Sequence, residues 1–327
     1  MAKLETDQWQ IRGWQGIVVH VPEDWDIAAI SGERTQGYLR IDDRENMPRV
    51  EIKWQASSGF VDVEGVVDQY LKDLTKKRKR DEPEIDVERD ARVVSKRRMG
   101  KRDLHCFAWR GEVEGYGAAW YCEDCERIVV MQVMAIAEED GRELAGEIIG
   151  TMQDHPEEDW ITWSTYGLTM EVPERFELTN QKLMAGLIEL HFADQGEQIV
   201  GARWGMANVS LRERSLESWA QSEIRQYHKG IKLSYEETKF RGHPAVEVTG
   251  YFSNPLRHLQ SFVMHVVGKP YPEAVQGWVW HCEEENRIYY AGALLDQDNI
   301  ELAEQVARRI ICPEREGGDE GEEEPIR

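Results

Sequence analysis

The sequence is short of cysteine: five in 327 residues, an odd number that does not make a paired disulfide framework. That scarcity fits a reducing cytoplasm. No run of about 18 apolar residues occurs, which excludes a membrane-spanning helix. The first residues, Met1-Ala2-Lys3-Leu4-Glu5-Thr6-Asp7, are polar and lack the apolar centre of a signal peptide. Positive charge is in deficit, with 40 Lys and Arg against 62 Asp and Glu for a net charge of −22. Such a surface repels nucleic-acid phosphates and anionic lipid, so neither is expected as a partner. There is no Walker loop and no G-x-G-x-x-G after a strand, and no cofactor is expected. No histidine stands at nucleophile-elbow spacing from a serine or cysteine, and no two carboxylates stand out as an acid/base couple. The expectation is a protein that is not an enzyme.

What is present supports well-filled cores. The chain is 41% hydrophobic and carries 12 Trp and 11 Tyr. Its length suits two domains of about 150 residues.

The chain repeats itself. At an offset of 151, Gly16-Ile17-Val18-Val19-His20-Val21-Pro22-Glu23-Asp24-Trp25 lies over Gly167-Leu168-Thr169-Met170-Glu171-Val172-Pro173-Glu174-Arg175-Phe176, and Trp9 falls on Trp160. Gly37–Ile41 matches Gly186–Leu190, and Trp54 matches Trp204. Trp120-Tyr121-Cys122-Glu123-Asp124-Cys125-Glu126-Arg127 lies over Trp280-His281-Cys282-Glu283-Glu284-Glu285-Asn286-Arg287. So many matches in one order mark a tandem duplication. The layout predicted is a lead of residues 1–8, a first repeat 9–154, a junction 155–159, a second repeat 160–312 and a disordered acidic tail 313–327. The second copy carries about 24 extra residues near Pro255–Gly277, read as a longer hairpin or loop.

Within each copy, an alternating strand ends at Val-Pro-Glu, where proline stops the ladder. Strands follow at about Gln36–Ile41 and Val50–Trp54. Val67, Tyr70, Leu71 and Leu74 then share a helical face, as do Leu216, Trp219, Ala220 and Tyr227. Strand hairpins and a closing helix complete the copy. The fold class predicted is α+β: two copies of an antiparallel sheet, each with two packed helices.

The order strand, Val21-Pro22-Glu23-Asp24-Trp25 turn, two strands, helix, hairpins and final helix resembles the PsbP-like fold group. Val172-Pro173-Glu174-Arg175-Phe176 and Gly242-His243-Pro244-Ala245 carry the likeness in the second copy. It covers both copies, from about Trp9 to Cys312, by element order. The resemblance implies a non-catalytic binding or assembly role.

Two features carry possible chemistry. Cys122-x-x-Cys125 falls between two strands, where no helix dipole lowers a thiol pKa, and its acidic neighbours raise it; a redox role is therefore not expected. A zinc site would need four ligands, which His105, Cys106, Cys122 and Cys125 supply if their strands pair. The second copy has no matching set, and no metal is expected. The other feature is the basic block Lys76, Lys77, Arg78, Lys79 and Arg80, echoed by Lys96, Arg97 and Arg98, which reads as a docking patch for an acidic partner, for RNA or for a nuclear import receptor, or as the cationic last turn of a helix. The function expected is protein binding or assembly. The alternatives are a small-ligand or metal-binding protein and an enzyme of unrecognised type.

Overall fold

The computed structural model describes residues 9–59, 61–76, 84–95, 102–136, 139–156, 158–252 and 271–313. The chain divides into two compact units, Met1–Gly167 and Leu168–Arg327. The first contains β1 (Trp9–Trp14), β2 (Ile17–Pro22), β3 (Asp26–Gly32), β4 (Gln36–Asp42), β5 (Pro48–Ala56), α1 (Val63–Lys76), β6 (Asp86–Arg89), β7 (His105–Arg110), β8 (Glu114–Cys122), β9 (Arg127–Ala135), α2 (Gly141–Thr151) and β10 (Trp160–Thr165). The second contains β11 (Leu168–Pro173), β12 (Glu177–Met184), β13 (Leu187–Asp194), β14 (Glu197–Gly205), α3 (Ala207–Ser210), α4 (Leu216–Glu223), β15 (Lys232–Phe240), β16 (His243–Tyr251), β17 (Ala274–Cys282), β18 (Arg287–Leu295) and α5 (Leu302–Arg308).

Each unit is built on a seven-stranded sheet, ordered β3-β4-β5-β9-β8-β7-β6 in the first and β12-β13-β14-β18-β17-β16-β15 in the second. The two orders correspond strand for strand, and every pairing is antiparallel. The molecule is a tandem of two similar β-sheet domains.

The expected α+β class is corrected by this architecture, which is predominantly β with few and short helices. The helical face from Leu216 to Tyr227 is not one helix: α4 has eight residues and gives way to a 3₁₀ turn at Ile224–Gln226. The closing helix of the second unit has seven residues, preceded by another 3₁₀ turn at Gln297–Asn299. Meanwhile β8, β9, β17 and β18 each run nine residues. Helical spacing of apolar residues reports that a helix exists. It does not weigh that helix against long strands with buried β-branched and aromatic side chains, which dominate here.

The N-terminal hairpin β1–β2 turns at Gln15-Gly16, both with positive φ (55° and 81°), the pair of conformations a two-residue type I′ turn demands. In the same unit β10 lies along β1. A Cβ at Gly13 would stand 2.7 Å from the Thr162 carbonyl oxygen, so only glycine allows this approach. There the Gly13 N–H donates to Ser164 Oγ at 3.1 Å, and the Trp14 and Trp163 rings meet edge to face at 5.0 Å. The core of the first unit gathers Val67 and Leu71 with Phe107, Trp109 and Ala119. That of the second gathers Trp204, Trp219 and Tyr290 with Val246, Val248 and Val279. Among the described residues no helix is long and apolar enough to cross a membrane.

Candidate metal centre

In the first unit β8 ends at Cys122 and β9 begins at Arg127, its register partner, so Glu123–Glu126 form the hairpin turn. Glu126 takes the left-handed conformation (φ 51°) that closes it. A second segment arrives over this turn from α2. Asp140 caps that helix by accepting from the Glu143 N–H, and the chain leaves it at Met152 in an extended conformation. Gln153 exchanges two backbone hydrogen bonds with Val18 of β2, at 2.8 and 2.9 Å. This bridge fixes the exit path, and Asp154 and His155 follow directly.

Asp154 is 1% exposed. Its Oδ2 accepts from the buried Trp120 indole N–H, and the Arg102 guanidinium lies 3.8 Å away. Its Oδ1 is buried without a hydrogen bond among the described residues and faces His155 Nδ1 at 2.8 Å. His155 Nδ1 also lies 3.3 Å from Cys122 Sγ, and its Nε2 lies 3.7 Å from an Asp124 carboxylate oxygen. Cys125 Sγ reaches toward the Asp154 carbonyl at 3.7 Å. Arg127 ties the corner together: its guanidinium donates to the carbonyls of Asp154, Gln15 and Arg34, and its Nε approaches Cys125 Sγ at 3.4 Å.

The donor atoms of Cys122, Cys125, Asp154 and His155 all lie within 4.8 Å of one another. A tetrahedral zinc ion with bonds of about 2.0–2.3 Å spaces its ligands about 3.3–3.8 Å apart. Burial pushes the Cys122 thiol up to about 11, and the charges of Asp154 and Cys125 act in the same direction. The metal-free Cys122 thiol is therefore protonated at neutral pH, and an ion would displace its proton.

This cluster differs from the four-ligand set weighed in the sequence, where no metal is expected. In the β7–β8 register His105 stands opposite Ala119 and Cys106 opposite Ala118, three and four places below Cys122 and so about 10–14 Å along the strand. Neither joins the donor set. Asp154 and His155, read as the end of the first repeat and the start of the junction, take their place. The signal that would have found them is an Asp-His pair directly after a helix, in a chain that also holds a C-x-x-C turn.

Of the basic block, Lys76 closes α1, exposed, with its ammonium 4.0 Å from Asp73. Lys77, Arg78, Lys79, Arg80, Lys96, Arg97 and Arg98 lie outside the described residues. All five cysteines are free thiols. No family model and no curated protein matches the chain.

Proposed function

We propose that this is a non-catalytic binding protein whose first unit holds a zinc-class ion between Cys122, Cys125, Asp154 and His155. The observation that carries the reading is the convergence of four donor groups from two chain segments. Two thiols and an imidazole suit zinc, and Asp124 beside His155 Nε2 is placed to orient the ring as an outer carboxylate does around metal-bound histidine. Four protein ligands close the coordination sphere, which is the pattern of a structural ion and not of one that activates water. Bound there, the ion would pin the segment after α2 to the β8–β9 turn. The PsbP-like resemblance implies the same broad class, binding or assembly with a protein partner. Reduced thiols fit a cytoplasmic setting.

The test is metal analysis of the full chain, purified reduced and dialysed against zinc. One equivalent is expected, and the double variant Cys122→Ser/Cys125→Ser should hold one fewer. A wild-type chain that retains no zinc would overturn the reading.

A further inference from the structure

The second unit gathers metal donors at the same corner of its sheet, but from different positions. Cys282 ends β17 as Cys122 ends β8. After α5 the Ile311 N–H donates to the Thr169 carbonyl at 2.8 Å, as Gln153 does to Val18, and Cys312 follows where Asp154 stands in the first unit. His243 opens β16, and the β16–β17 register, which sets Ala245 against Trp280, carries it to the level of Cys282. Where the first unit has Cys125, the second has Glu285, which is drawn away by Arg287 at 3.3 Å and by the Tyr289 hydroxyl.

His243, Cys282 and Cys312 are all buried, and their donor atoms lie within 4.8 Å of one another. His243 Nε2 stands 3.5 Å from Cys312 Sγ and 2.7 Å from the Pro313 carbonyl oxygen. The ring is 3% exposed, and its Nδ1 has no hydrogen-bond partner among the described residues. The Pro313 carbonyl can only accept, so Nε2 carries the ring's N–H and the lone pair stands on the unpartnered Nδ1. Arg241 holds the Cys312 segment in place through the Ile310 and Cys312 carbonyls.

The geometry points to a buried three-coordinate site at His243, Cys282 and Cys312 for a soft, low-coordinate ion, monovalent copper. Thiolate and imidazole donors suit copper. Structural zinc is almost always four-coordinate, and among the described residues this set has three members and no carboxylate. Binding would release the two thiol protons. The resulting dithiolate complex carries one negative charge, which the Arg241 guanidinium on the Cys312 carbonyl offsets. This inference does not rest on the first-unit zinc reading.

The test uses the full chain carrying Cys122→Ser/Cys125→Ser, which leaves the second-unit set intact. Under anaerobic, reducing conditions it is titrated against the coloured complex of monovalent copper with bicinchoninate. Withdrawal of one equivalent is expected, together with an X-ray absorption first shell of two sulfurs and one nitrogen. Adding Cys312→Ser should abolish uptake, and adding His243→Gln should weaken it at least about tenfold. Failure to withdraw copper would overturn the inference whatever the buried variants do. So would a four-coordinate shell, displacement of the copper by equimolar zinc, or uptake indifferent to Cys312. Zinc content of the wild-type chain is read separately, so either reading can fail alone.

Discussion

Asp154 and Cys312 occupy one structural position in the two units: each follows a residue, Gln153 or Ile311, hydrogen-bonded to the backbone of Val18 or Thr169 in its own unit. In the first unit the position supplies a carboxylate held by the Trp120 indole; in the second it supplies a thiol beside His243. The backbone frame is the same, and the donor chemistry differs.

Zinc affinity of the first unit should rise steeply with pH. Cys122 sits at about 11 and must lose its proton to bind. Apparent affinity is therefore expected to rise by at least about tenfold per pH unit near neutrality. Competition with a coloured chelator across pH 6–8 checks the slope; a flat profile would rule out a dithiolate site.

Trp120→Phe should destabilise the metal-free chain by about 2–4 kcal/mol. It removes the indole donor from a carboxylate that is 1% exposed and leaves a gap where a fully buried ring stood. Urea unfolding of the metal-stripped variant measures the loss.

His228 makes the second unit acid-sensitive. Its Nε2 lies 2.6 Å from the Tyr290 hydroxyl, and burial, aided by the charge of His191, lowers it from 6.5 to about 4. The unfolded chain then binds the proton that the folded chain refuses, so stability is intact above about pH 6.5 and falls as pH drops toward 4. The full effect is on the order of 3 kcal/mol. His228→Gln should flatten Tm against pH across this window.

Arg175→Met should cost about 2 kcal/mol, less than the 3–5 of a wholly buried pair, because Arg175 is part-exposed. The arginine lies 2.7 Å from Glu197, which is fully buried and also accepts from the Asp296 N–H and Asn299 Nδ2. Those two bonds keep Glu197 partly compensated, and Glu197→Gln in the same background should recover part of the loss in thermal unfolding.

The repeat was legible because glycine turns, Val-Pro-Glu strand ends and Trp-x-Cys hairpins leave marks at fixed spacing. The balance of strand and helix was less so. Val67, Leu71 and Trp219 announce helices truly, but nothing local reveals that α4 stops at Glu223 or that seven strands share each sheet. Half of the candidate metal centre was also readable, since Cys122 and Cys125 stand three positions apart at one turn. Asp154 and His155 reach that turn only through the Gln153–Val18 bridge, which joins residues 135 apart in the chain. A pairing at that range leaves no periodicity behind.

The overlap at β10 bears on how the protein can be divided. The sequence repeat restarts at Trp160, yet residues 160–167 belong by contact to the first unit, where Trp163 meets Trp14 and Ser164 holds Gly13. A fragment ended at 159 would strip a wall from Trp14 and leave a sticky aromatic face, inviting aggregation in the test tube. One carried through Gly167 would keep that wall.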